Sequence, residues 1–140
     1  MKTILFVLMM LAASALNAQN KLTIVIDGIE ETNGNVLVAV YDTGNFLKKP
    51  VYAGFANAES KEVTIVLQDV ESGEYAVSAY HDENGNNKLD SGQFGIPTEK
   101  TGFSNNAKIK MGPPKFNNCK FKIEEDTVIH ITLNKYSLPF

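Results

Sequence analysis

The sequence predicts an all-β fold: an antiparallel β-sandwich of about seven short strands with Greek-key connections and one long irregular loop over residues 82–116. Three observations predict it. Apolar residues recur with period two along most of the chain, as they do where alternate side chains of a strand face a core. No stretch shows the 3.6-residue period of an amphipathic helix. Turn signals built from Gly, Asn, Asp and Pro separate the apolar runs at the spacing of a small sandwich. A closed barrel meets the same pattern, but long irregular crossovers suit a sandwich better.

The elements follow in order. Leu22, Ile24 and Ile26 alternate with Thr23, Val25 and Asp27 in a first strand that ends at Gly28. Asn33-Gly34-Asn35 makes a hairpin turn, after which Val36, Val38 and Val40 oppose Leu37, Ala39 and Tyr41. Apolar residues on both faces mark this second strand as central and covered on both sides. Residues 42–61 read as an irregular connection broken by Gly44, Pro50 and Gly54, with Phe46, Leu47, Tyr52 and Phe55 packing it onto the body. Val63, Ile65 and Leu67 give a third strand. A turn around Ser72-Gly73 leads into a fourth over 75–81, where Tyr75, Val77 and Ala79 oppose Ala76, Ser78 and Tyr80. The loop 82–116 is long for a compact domain, so it either carries function or hides short strands, with residues 106–111 a candidate. Residues 119–124 and 127–133 close the chain as a hairpin bent at Glu124-Glu125-Asp126.

Ahead of these strands, residues 1–18 have the order of an export leader. Lys2 is followed by an apolar run from Ile4 to Ala13, too short to span a membrane, and then by small residues at Ala13-Ser14-Ala15 and Ala18. Cleavage after Ala18 leaves residues 19–140 as one β-domain with no transmembrane segment, destined for the periplasm, the outer surface or the medium. Cys119 is the single cysteine, so no intramolecular disulfide forms, which suits a bacterial envelope. It alternates with Phe121 and Ile123 and reads as a small core residue, having no neighbouring base to make it a nucleophile. All thirteen basic residues are lysines. Without the leader, twelve lysines face sixteen carboxylates, a net charge of −4. That balance and the absence of arginine exclude nucleic acid as a partner and disfavour a phosphate-rich membrane surface.

The densest chemistry lies in Asp82-Glu83-Asn84-Gly85-Asn86-Asn87-Lys88-Leu89-Asp90. Asp82, Asn84, Asn86 and Asp90 stand at positions 1, 3, 5 and 9 of a calcium-type loop, where hard oxygen donors converge. Lys88, at position 7, would offer its backbone carbonyl. Position 12 holds Gln93, a single neutral oxygen in place of a bidentate Glu, so binding falls toward the ~10⁻⁴–10⁻³ M of extracellular modules. The competing reading is a self-capped turn, since Asn84-Gly85 is a favoured type I′ pair and Asx side chains bond their own backbone.

Other groups carry weaker signals. His81 and His130 have no His or Cys partner at zinc spacing, and His130 alternates onto a solvated strand face. Ser104 lacks a nucleophile-elbow context. His81, Phe94, Phe103, Ser104 and Phe116 together outline a speculative ligand-binding region over the long loop.

Four motifs occur in order: Tyr80-His81-Asp82-Glu83-Asn84-Gly85-Asn86-Asn87-Lys88-Leu89-Asp90, Phe94-Gly95-Ile96-Pro97-Thr98-Glu99, Gly102-Phe103-Ser104-Asn105-Asn106-Ala107 and Gly112-Pro113-Pro114-Lys115-Phe116. Through them the chain resembles a bacterial exported family, the domain of unknown function 2141. Lys100-Thr101 and Asn87 depart from its pattern. The resemblance implies an exported single-domain β-protein, similar to transthyretin-like or surface-adhesin-repeat sandwiches, and names no activity. The expected function is a non-enzymatic module of the cell envelope that binds a ligand or partner and is stabilised by calcium. The alternative is an envelope hydrolase or carbohydrate-active protein with its site in the 81–116 region.

Overall fold

The structure, a computed structural model, describes residues 19–136; the expected leader lies outside the described residues. Two sheets pack face to face. One holds β4 (Val63–Glu71), β1 (Gln19–Asp27) and β8 (Thr127–Thr132) in that order. The other runs β3 (Tyr52–Asn57), β2 (Asn35–Tyr41), β5 (Gly73–Asp82) and β6 (Thr101–Phe103). A last short strand, β7 (Phe121–Ile123), joins β5 on the same edge as β6, pairing Gly73–Tyr75 while β6 pairs Ser78–Tyr80. The all-β sandwich is therefore as the alternation predicts, with eight strands. One pairing is parallel: β1 runs alongside β8, Leu22 opposite Thr127.

The core lies between the sheets. Leu22, Ile24 and Ile26 of β1 face Val36, Val38 and Val40 of β2, with Ile65, Val77, Ile123 and Ile131 filling the layer around them. The outer face of the second sheet is covered in part. Ala76, Phe103 and Cys119 are buried there beneath Phe46, Ile109 and Phe116. Phe46 stands edge-on to both Tyr41 and Phe116, its ring centre 5.7 Å from each. The second strand is thus central as expected, although Leu37 and Ala39 on its outer face are only half-buried.

Several connections differ from expectation. Asn33-Gly34-Asn35 is not a hairpin, because β1 and β2 belong to different sheets and the turn carries the chain across. For the same reason 119–124 and 127–133 do not pair with each other: β7 joins β5 and β8 joins β1. The connection 42–61 contains β3, hidden by Gly54. That glycine lies where the sheets approach closely, for a Cβ there would stand 2.9 Å from Leu67 Cδ2 and 3.0 Å from Ile65 Cγ2. Phe46 and Tyr52 pack as expected, but Leu47 and Phe55 are exposed. In the long loop the strand is 101–103 rather than 106–111.

Cys119 sits at the end of a single helical turn, α1 (Phe116–Cys119), not in a strand, yet it is fully buried as a core residue should be. Burial pushes its thiol up to about 11. At pH 8 the thiolate is then roughly one part in a thousand. Iodoacetamide at that pH should label the denatured chain rapidly and leave the native chain almost unmodified, as read by intact mass.

Candidate functional site

β5 ends in the acidic loop, and its last two residues are buried polar groups. His81 is fully buried, with Nε2 2.6 Å from the Asn33 carbonyl and Nδ1 without a hydrogen-bond partner, 3.9 Å from Glu83. Asp82 is fully buried too. Its carboxylate accepts the backbone N–H groups of Asn86 at 3.2 Å and Asn87 at 2.8 Å, which curls the chain around it. The Asn84 side-chain oxygen caps Asn86 N–H, and the Asn86 oxygen caps Lys88 N–H. Gly85 and Asn87 take the left-handed conformation this coil requires, at φ 71 and φ 60. The amide nitrogens of Asn84 and Asn86 then donate to Asp90, at 2.6 and 2.8 Å. Those two bonds hold the Asp90 carboxyl below the usual carboxylate range.

A third carboxylate, not anticipated from the sequence, completes the cluster. Residues 92–96 form a tight turn in which Gly92 N–H donates to the Ile96 carbonyl and Thr98 N–H to that of Asp90. This fold-back buries Glu99, 6 % exposed, where it accepts the Asp90 N–H at 3.2 Å. Burial, ahead of the nearby Asp90 and Asp82 charges, pushes the Glu99 carboxyl up, partly offset by that backbone bond. Gln93 instead begins the exposed turn, and its side chain makes no hydrogen bond to the loop among the described residues. The signal for Glu99 was its place in Ile96-Pro97-Thr98-Glu99, outside any twelve-residue template.

In kind, the donors suit a hard cation: Asp82, Asp90 and Glu99 are carboxylates that feel one another's charge near the end of β5, although they are not gathered around one point. In orientation the carboxamides do not yet serve it. Asn84 and Asn86 turn NH₂ groups toward Asp90, so the loop closes on itself. A cation entering here would displace those two bonds.

Beside this loop, over the outer face of β2 and β5, lies a groove of about 690 Å³. Tyr80, Leu89, Ile96, Phe103, Ile109 and Met111 are among its walls, and Leu89 is contributed by the acidic loop itself. Phe94 and Met111 stand at its mouth, 94 % and 101 % exposed. Of the five residues outlined for ligand binding, Phe94 and Phe103 line the groove. The others do not. The Ser104 hydroxyl is buried, accepting Val77 N–H at 2.9 Å and donating to the Cys119 carbonyl at 2.6 Å. Phe116 packs on Phe46. His81 and His130 lie on different sheets, His130 exposed on β8, and no group of three metal-ligating side chains is preassembled among the described residues. No helix among the described residues is long and apolar enough to cross a membrane.

No curated protein and no solved structure matches the chain. A family model described as "Uncharacterized protein conserved in bacteria (DUF2141)" matches residues 24–131, spanning the sandwich from β1 into β8 and taking in the acidic loop and every groove-lining residue but Tyr136. The chain belongs to the DUF2141 family.

Proposed function

We propose that the chain is an exported, non-enzymatic β-sandwich module of the bacterial envelope that binds an apolar ligand in the groove over β2 and β5, with calcium fixing the acidic loop as one wall. The observation that carries this reading is the groove. Its volume falls within the ~300–1,000 Å³ of small-molecule sites. Its walls are mainly apolar, and large hydrophobics stand exposed at its mouth, where a water-facing surface gains nothing from them. The calcium reading is supported by Asp82, Asp90 and Glu99. A divalent ion among them would relieve the clustering of a buried carboxylate with two others, and would hold Leu89 against the groove. The hydrolase alternative finds less support. Ser104 is locked in backbone hydrogen bonds, and neither a histidine nor a carboxylate lines the groove.

The test joins a neutral solvatochromic dye, Nile red, to thermal unfolding. The dye should brighten and blue-shift on the protein, and Ile109→Glu should abolish the change. Calcium at ~10 mM, which largely fills even weak extracellular sites, should raise the melting temperature. Asp82→Asn combined with Asp90→Asn should remove that rise. An unchanged dye spectrum overturns the binding reading, and an unchanged melting temperature overturns the calcium reading.

A further inference from the structure

A second, smaller cavity of about 370 Å³ adjoins the groove. The two share Thr101, Phe103, Ile109 and Tyr136 as common walls, so they lie side by side. The smaller cavity is the less apolar of the two. Asn106, Thr132 and Asn134 line it together with Lys108 and Lys135, and Lys110 stands on the larger groove near Met111.

The charge distribution is one-sided. The chain carries sixteen carboxylates against thirteen lysines, yet no Asp or Glu lines either cavity, while three lysines do. The ion-paired lysines lie elsewhere: Lys100 holds Glu30 at 2.7 Å and Lys120 holds Glu74 at 3.6 Å. Lys108 and Lys110 take part in no ion pair among the described residues. Lys135 feels the charge of Glu30, which is itself bonded to Lys100. A cationic rim on an acidic protein, beside an apolar trough, is complementary to one molecule with both parts.

We propose that the groove takes a single-chain carboxylate amphiphile, a long-chain fatty acid, with its hydrocarbon along Leu89, Ile96, Phe103 and Ile109 and its carboxylate at Lys108 and Lys135. This rests on the binding reading above and names its ligand class. Lysines act as point charges with three donors and suit a small carboxylate. The planar forks that clamp a phosphate in two places belong to arginine, which the chain lacks. One apolar trough beside one lysine-flanked cavity fits one chain with one head.

The experiment compares palmitate with its methyl ester, each as a competitor of bound Nile red on the full chain. Both share the hydrocarbon, and only palmitate carries the charge. Palmitate should displace the dye at lower concentration than the ester. Lys108→Gln combined with Lys135→Gln should weaken palmitate roughly tenfold, the range of one charge-assisted contact, and leave the ester unchanged. The ester is thus an internal control for folding, and both lysines are exposed. Equal displacement by acid and ester on the wild type overturns the head-group assignment. So does an equal loss of both on the variant. Nile red bound but displaced by neither overturns the ligand class, whereas no dye binding at all overturns the underlying binding reading. A third arm, sedimentation with phosphatidylglycerol–phosphatidylcholine vesicles, decides between a free amphiphile and a bilayer. Co-sedimentation without displacement of the dye by palmitate overturns the proposal in favour of a membrane surface.

Discussion

Ile24→Ala is expected to destabilise the domain by about 2–5 kcal/mol, the range for emptying a fully buried aliphatic site that cannot collapse. Ile24 lies mid-way along β1 with no exposed surface, held by β4 on one side through Ile65 and by β8 on the other through Ile129. Both neighbours are paired to β1 by backbone hydrogen bonds, so neither can slide in to fill the space. The next residue, Val25, is a control. It is half-buried on the opposite face, and truncating it to alanine should cost no more than roughly 1 kcal/mol. Urea denaturation of the two variants, compared at equal slopes, measures the difference. Similar midpoints for both would mean that the inter-sheet layer is not where the stability resides.

The second large effect belongs to Gly34. It adopts φ 68, and a Cβ there would lie 2.0 Å from the Asp82 carbonyl oxygen and 2.9 Å from Glu83 Cα. Gly34→Ala therefore combines a left-handed alanine, about 1–2 kcal/mol, with an overpacking cost of about 1–3 kcal/mol. The clash is with backbone rather than with a flexible side-chain tip, so it must move the start of the acidic loop. Gly85 separates the two costs. It has φ 71 but nothing within 4 Å of its would-be Cβ, so Gly85→Ala should cost only the conformational part. Chemical denaturation of both variants gives the comparison. In Gly34→Ala the calcium-dependent rise in melting temperature should shrink as well, because Asp82 is displaced.

These two sites also show what was legible in the chain. Strands β1, β2, β4 and β5 could be read because each places an apolar residue at every second position over enough length to mark the core face. The shorter β3 and β6 could not, and β7 and β8 were legible as strands but not in their pairing. Gly54 interrupts β3 for a packing reason that looks like a turn signal, and the three residues of β6 carry no period at all. The pairing errors have one physical source. Asn33-Gly34-Asn35 and Glu124-Glu125-Asp126 have good turn chemistry, but turn chemistry does not say whether the next strand stays in its sheet or crosses to the other. At the site, the acidic loop was legible because its donors are neighbours in sequence. Glu99 and the groove were not. The first depends on a fold-back at 92–96, and the second on segments from five regions of the chain meeting over β5.

The parallel alignment of β1 with β8 has a consequence in time. The first strand of the sandwich is finished by its last, Leu22 meeting Thr127 across more than a hundred intervening residues. During synthesis the ribosome must release nearly the whole polypeptide before that sheet can close. Contacts so far apart in sequence also make the search slow. Until then β1 offers an unsatisfied edge and three uncovered aliphatic side chains, Leu22, Ile24 and Ile26, to any chaperone or neighbouring nascent chain.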